Sequence, residues 1–167
     1  RKNVISFEQG DTYNTGWQYT TANFLVSFFI DKVIVCSNEL KKWVRRNYWI
    51  PNRKMVVMHN AVLTDFFKPN DNGGYARRIL GIGHNDIVIG SVGTLGKGIN
   101  KGMNYCIDAI SILIQKYKNI TLLIAGDGKL RSDLERQVKD LRLENSVKFL
   151  GLRRDIELVL SATDIFI

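Results

Sequence analysis

The chain has 167 residues, 45% of them hydrophobic, with 24 Lys/Arg against 16 Asp/Glu and a formal net charge of +8. That length and apolar content support one core or parts of two. The longest apolar run, FLVSFFI (Phe24 to Ile30), is far too short to span a bilayer, and the two histidines and two cysteines, the latter seventy positions apart, form no Cys/His cluster of metal-ligand spacing.

The positive excess is uneven. Residues 1–62 carry nine Lys/Arg against four Asp/Glu, residues 63–167 carry fifteen against twelve, and Lys41 to Lys54 holds six cations and no acid. Such a bias suits a polyanion or an anionic surface, or forms a solvated basic face. Cys36 and Cys106 each sit inside an apolar segment and read as buried free thiols, which fits a reducing cytoplasm. The chain opens on Arg1 and stops at SATDIFI within an apparent strand, so a piece of a longer protein is expected.

In chain order, VISFE (Val4 to Glu8) reads as a strand and the aromatic-rich stretch Gly16 to Ile30 as a helix. KVIVCS (Lys32 to Ser37) is a short, continuously apolar strand. Ser37 or Asn38 is the expected N-cap of a helix over SNELKKWVRRNYW, with Glu39 in its first turn, and Pro51 stops it. Lys54 to Val62 is the next strand. Strands that are apolar throughout point to parallel sheets covered on both faces. Between residues 63 and 85, Pro69, NDNGG and GIGHN surround one short helix, YARRILG, and this segment reads as the connection between domains at 1–62 and 86–167.

The βα rhythm then restarts. Ile87 to Val92 is a strand, and Met103, Ile107, Ile110, Leu113, Ile114 and Tyr117 mark a helix face. Ile120 to Gly126 is a strand, and Leu130, Leu134, Val138 and Leu141 recur at helical spacing. Ser146 to Gly151 is a strand, Asp155 is expected to cap IELVLSA, and TDIFI begins a further strand. The fold class is α/β, with Rossmann-like parallel sheets.

Three glycine-containing loops fall at predicted strand ends: Gly93 to Gly102, Gly126 to Lys129, and Gly151 to Arg154. Ligands of open α/β sheets bind at that edge. Glycine lets backbone amides approach an anion, a helix N-terminus favours it, and Lys97 and Lys101 are placed to reach phosphate oxygens. Gly93 and Gly98 have the separation of a Walker A loop, but Ile99 stands where its lysine belongs. GDGKLR (Gly126 to Arg131) supplies two glycines of a dinucleotide fingerprint and Arg131 in place of the third. A P-loop ATPase and a Rossmann dehydrogenase are therefore disfavoured.

The whole run resembles the retaining GT-B glycosyltransferases that use nucleotide sugars, glycosyl transferase group 1 or family 4. DKVIVCSNELKKWV and KMVVMHNAVLTDFFKP look like the end of that family's first domain, and IGSVGTLGKGINKGMNYCIDAISIL like the first strand and Lys-Gly loop of its second. LLIAGDGKLRSDLE and VKFLGLRRDIELVLSATDIFI are similar to the segments that follow. The resemblance implies that residues 1–62 are the C-terminal part of an acceptor-side domain, 63–85 a linker, and 86–167 the first half of a donor-binding domain, both domains incomplete. It implies transfer of a sugar from a nucleotide diphosphate sugar to a hydroxyl acceptor, glycan or lipid-linked, without metal or cofactor. It gives Lys101 the donor phosphates as the catalytic cation, with Gly93, Thr94, Lys97, Gly126 and Gly128 around them and Gly151, Leu152 and Arg153 by the nucleobase. Thr94 stands in place of the family's arginine, with Lys97 as its candidate replacement, Ala61 in place of a glycine, and Gln9 in place of a histidine near the reacting sugar. The family's glutamate pair falls beyond Ile167, which implies that these 167 residues alone transfer no sugar and bind nucleotide weakly.

Lys41, Lys42, Arg45 and Arg46 form one helical stripe beside Leu40, Trp43, Val44 and Trp49. Residues 40–49 are thus expected to meet an anionic membrane surface from the cytoplasmic side, or to pack their apolar members on the sheet with the cations solvated. Two other readings remain: a different GT-B-type enzyme such as a nucleotide-sugar epimerase, and a basic α/β module that binds nucleic acid. No nucleic-acid motif supports the second.

Overall fold

A computed structural model describes residues 3–8, 17–68, 72–96 and 101–167, with the backbone alone for residues 17–20. Gln9 lies outside the described residues. The chain divides into two compact units, Arg1–Leu63 and Thr64–Ile167.

The first unit contains β1 (Ile5–Glu8), α1 (Trp17–Ser27), β2 (Lys32–Val35), α2 (Asn38–Tyr48), a 3-10 turn (Asn52–Lys54) and β3 (Met55–Val57). The strands are parallel in the order β1-β2-β3. Ser37 is the cap of α2: its hydroxyl accepts the Leu40 amide at 3.0 Å, and the helix ends where Trp49 turns left-handed at φ 57°. Val33, Val35 and Met55 on the sheet and Val44 and Tyr48 on α2 form the core, with Leu40, Trp43 and Val57 packed against it. Both crossovers run in the same direction, so right-handed connections bring α1 and α2 to one face. Among the described residues, these helices cover one face of the sheet. Ile5, Phe7 and Val56, which flank Lys32 and Ile34 in the register, are exposed. The strand expected over Lys54 to Val62 stops at Val57 because its partner β2 ends at Val35, and one further bond, Met58 N–H to Val35 O at 2.9 Å, closes the ladder.

The second unit contains α3 (Gly73–Ile79), β4 (Ile87–Val92), α4 (Met103–Lys116), β5 (Ile120–Ala125), α5 (Arg131–Asp140), β6 (Val147–Gly151), α6 (Ile156–Ala162) and β7 (Ile165–Phe166). Its four strands are parallel in the order β6-β5-β4-β7. Every residue of β5 is buried, as a central strand between two helical layers requires. Ile120, Leu122 and Ile124 join Ile107 of α4 with Leu134 and Val138 of α5. Leu123 and Ala125 join Ala76 of α3 with Val159 and Ala162 of α6. Cys36 and Cys106 are both half-buried free thiols, and burial pushes the Cys106 thiol up. Leu113, Tyr117 and Leu141, expected on core faces, are exposed; Tyr117 and Leu141 are the residues that end α4 and α5, and Leu113 turns outward while its neighbour Ile114 packs against the core.

Part of the segment read as a connection is built into the second unit. Ala76 of α3 is fully buried, and Arg77 anchors the helix. Its guanidinium donates to Ala162 O at 3.2 Å, His84 O at 2.9 Å, Asp86 O at 3.2 Å and Asp164 Oδ2 at 2.7 Å. Asp164 Oδ2 also accepts the Val88 amide at 2.8 Å, so one ion pair ties α3 to the start of β4 and the entry to β7. The Arg77 side chain is only 16% exposed. Arg77→Ala is expected to destabilise the protein by about 3 kcal/mol, because it leaves Asp164 and several carbonyls without their donor. Urea unfolding checks this; a midpoint unchanged from wild type contradicts it.

Candidate functional site

In a parallel βα sheet every loop leaving the carboxyl end of a strand opens toward one edge. At that edge a cleft of about 330 Å³ is lined by Val92, Gly93 and Thr94 after β4, by Ala125, Gly126 and Asp127 after β5, and by Leu152, Arg153 and Ile156 after β6. The three loops singled out in the sequence converge here. A second cavity of about 410 Å³, against Phe66, Phe67 and Glu157, touches none of them.

The loops are joined backbone to backbone. Gly93 N–H donates to Ala125 O at 3.0 Å, Leu95 N–H to Asp127 O at 3.0 Å, Leu130 N–H to Leu95 O at 2.9 Å, and Gly126 N–H to Gly151 O at 2.8 Å. Two glycines allow this approach. A Cβ on Gly126 (φ 142°) would collide with Gly93 O, and one on Gly128 (φ 153°) with Leu95 O. The sequence expectation gave these glycines to anion binding, but their amides are engaged inside the protein. Gly126 N–H serves Gly151, and Gly128 N–H donates to Asp127 Oδ1 at 2.7 Å. Gly126 borders the cleft and Gly128 does not.

The described part of the β4–α4 loop carries a cation, Lys101. Lys101 folds its aliphatic stem along Gly93: a Cβ built on Gly93 would lie 3.0 Å from Lys101 Cδ and 3.8 Å from its Nζ. The ammonium thus reaches the lip of the cleft, and among the described residues it has no hydrogen-bond or ion-pair partner. Gly102 (φ 77°) then turns the chain into α4, whose N-terminus points to the same edge and favours negative charge. Thr94 is exposed beside it. Lys97 lies outside the described residues.

The β6–α6 loop differs. Arg153 donates through Nε and Nη2 to the two carboxylate oxygens of Asp155 at 2.9 and 2.6 Å. Most of its charge is matched in place, and the same contact holds the Asp155 carboxyl below its ordinary range. Asp155 therefore does not cap α6 with its side chain, as the sequence suggested, because the arginine two residues back competes for it. Leu152 is 85% exposed and offers an apolar surface at this end.

Asp127 is a cleft residue that the sequence reading passed over, since GDG was read for its glycines. Its carboxylate is oriented by the Gly128 amide and by Arg131 Nη1 at 3.1 Å, and these two contacts, the amide first, hold it below the usual carboxylate range. Arg131, at the third position of the failed dinucleotide fingerprint, also pairs with Glu135 at 2.8 Å.

The family model for glycosyl transferases group 1 matches residues 86–167. Among curated proteins, UDP-Gal:alpha-D-GlcNAc-diphosphoundecaprenol alpha-1,3-galactosyltransferase of Escherichia coli is 30% identical over 140 residues, 81% of this chain and 36% of that protein. Alpha-monoglucosyldiacylglycerol synthase of Streptococcus pneumoniae is 26% identical over 151 residues, 86% of this chain and 34% of that protein. Among solved structures, Anabaena Alr3699/HepE in complex with UDP and glucose shares the fold with a TM-score of 0.81 at 23% identity, covering 99% of this chain and 46% of that chain. The chain spans about a third of the length of these curated relatives and under half of that solved chain.

The glycine contacts yield a paired expectation. Gly126→Ala is expected to cost more than about 3 kcal/mol or to prevent folding, since backbone rather than a flexible side chain blocks the methyl. Gly74→Ala in α3, where a Cβ meets nothing within 4 Å, is expected to be neutral or to gain about 0.5–1 kcal/mol of helix stability. Thermal unfolding of the two variants separates them, and equal behaviour refutes the loop-packing account.

Proposed function

Because residues 86–167 belong to the glycosyl transferases group 1 family, and the parallel Rossmann-like units have the fold of GT-B glycosyltransferases, we propose that the protein transfers a sugar from a nucleotide diphosphate sugar to a hydroxyl acceptor. The acceptor belongs to glycan, polysaccharide or glycolipid synthesis. In this reading the first unit is the C-terminal part of the acceptor-side domain and the second the first half of the donor domain. UDP bound to Anabaena Alr3699/HepE and the UDP-Gal named for the Escherichia coli relative support the donor class. The alpha linkage in that relative's name supports a retaining course.

The observation that carries the proposal is the placement of Lys101 along Gly93 at the cleft lip, beside the start of α4. As the sugar leaves, negative charge grows on the diphosphate. A fixed ammonium and a helix N-terminus stabilise that charge without reorganising and without requiring a metal. Gly93 and Thr94 form the floor under the phosphates, Gly126 the middle wall, and Gly151, Leu152 and Arg153 the nucleobase end. In the whole protein, Lys101→Ala is expected to lower the rate of sugar transfer by about a hundredfold or more, as for removal of a transition-state charge donor. Radiolabelled sugar transfer measures this, and near-wild-type turnover removes Lys101 from the mechanism.

The acceptor side meets an anionic membrane surface through α2. Diphosphoundecaprenol and diacylglycerol appear in the names of two relatives, which supports a lipid-linked acceptor. No helix among the described residues is long and apolar enough to cross a membrane. Leu40, Trp43 and Val44 pack on the sheet, so the apolar contribution is reduced to Trp49, which is 71% exposed. The cations remain outside: Lys42, Arg45 and Arg46 are exposed, and Lys41, Lys42 and Arg45 line a groove of about 430 Å³ with Asn38, Asn52 and one acid, Glu39, which lies 3.8 Å from Lys42. Each cation near an anionic leaflet contributes about 1 kcal/mol. Co-sedimentation is expected to require anionic vesicles, to weaken with salt, and to drop when Lys41, Lys42, Arg45 and Arg46 become Gln. Equal pelleting with neutral vesicles retires this part.

A further inference from the structure

The second cavity, of about 410 Å³, lies between α6 and the segment that leads into α3, and it shares no lining residue with the cleft at the sheet edge. Its volume is that of a small-molecule site. One of its wall residues is left incomplete by the fold. Glu157 Oε2 is buried and accepts no hydrogen bond among the described residues. A buried carboxylate oxygen without a donor is costly and uncommon in native proteins. Lys68 lines the same cavity, is exposed, and makes no ion pair with Glu157. The cavity therefore carries one charge of each sign, unjoined. The groups around them are one-sided. Thr163 Oγ1 donates its hydrogen to Val159 O at 2.8 Å, and Ser161 Oγ donates to Glu157 O at 2.7 Å. A hydroxyl whose hydrogen is committed meets a ligand only as an acceptor. Phe66 and Phe67 stand edge to face with ring centroids 5.1 Å apart, and they remain 55% and 39% exposed. Their rings offer apolar area together with π faces that attract a cation.

We propose that this cavity binds a small zwitterion: a primary ammonium and an anionic group carried on an apolar body, as in an aliphatic or aromatic α-amino acid. The ammonium donates to Glu157 Oε2, the anionic group pairs with Lys68, and the apolar body lies against Phe66, Phe67 and Leu160, which line the same space. An ammonium has three donors, so it can serve the carboxylate and a neighbouring hydroxyl oxygen together, and its bond to a charged acceptor is among the stronger ones. A simple amine is opposed by Lys68 and a simple acid by Glu157, so the two walls select a ligand that carries both signs. The site is built from α6 and the segment Phe66–Lys68 within the second unit, and it stands or falls independently of the donor reading.

The test is calorimetry on the intact protein with L-phenylalanine and L-leucine, each beside the amine that lacks its carboxylate and the acid that lacks its amine. These are 2-phenylethylamine and 3-phenylpropionate for the first, 3-methylbutylamine and 4-methylpentanoate for the second. The tighter-binding amino acid is expected to bind at least about tenfold more strongly than either of its counterparts, since a site built for a polar partner rejects the analogue that lacks it. Glu157→Gln keeps the shape and removes the negative charge, and it is expected to bring the amino acid within about threefold of its acid. Lys68→Gln is expected to bring it within about threefold of its amine. Lys68 is exposed, so this second variant tests the site without touching the core. An unchanged ratio in either variant, equal binding of the three compounds by wild type, or no binding of either amino acid overturns the proposal.

Discussion

The second unit depends on the contact between two loops, made by backbone alone. Gly126 and Gly128 press against Gly93 O and Leu95 O, closer than any side chain permits. The bonds around them extend the β4–β5 pairing past the last strand residues and join it to Gly151. The carboxyl edge of the sheet is therefore a firm ledge. Lys101, Asp127 and Arg153 project from that ledge, and their spacing is set by strand geometry.

Charge along the ledge is sorted by what each cation already holds. Arg153 is forked onto Asp155, and Arg131 is shared between Asp127 and Glu135. Lys101 has no such partner among the described residues. A count of basic residues ranks the three alike, whereas the hydrogen bonds distinguish the two paired arginines from the lysine. The same distinction applies in the first unit, where α2 turns its apolar side inward and leaves its cations to water or a surface.

Much of this was legible in the sequence. The parallel strands, the three strand-end loops and the place of Lys101 follow from apolar runs and glycine positions, which reflect local chain chemistry. The extent of the folded second unit was less legible. Pro69 and the surrounding glycines signal a connection, yet Ala76 and Arg77 are fixed by groups far along the chain, which no local pattern announces. The carboxylates were misread for a related reason. Asp155 has the position of a helix cap, and only the arginine two residues before it decides otherwise. Asp127 was hidden between two glycines whose own role was loop packing.

The Arg77–Asp164 pair joins residues 87 positions apart. Closing so long a span costs chain entropy before any contact compensates for it, and non-local pairings of this kind slow folding. Val88 adds its amide to the same carboxylate, so the first strand of the unit acquires this bond only once its last helix is in place. The central strands pair between near neighbours in sequence, whereas α3 and the α6–β7 corner must find each other across the whole unit. That corner is a late-forming clasp, and exchange of the Val88 amide proton would report its opening separately from the melting of the sheet.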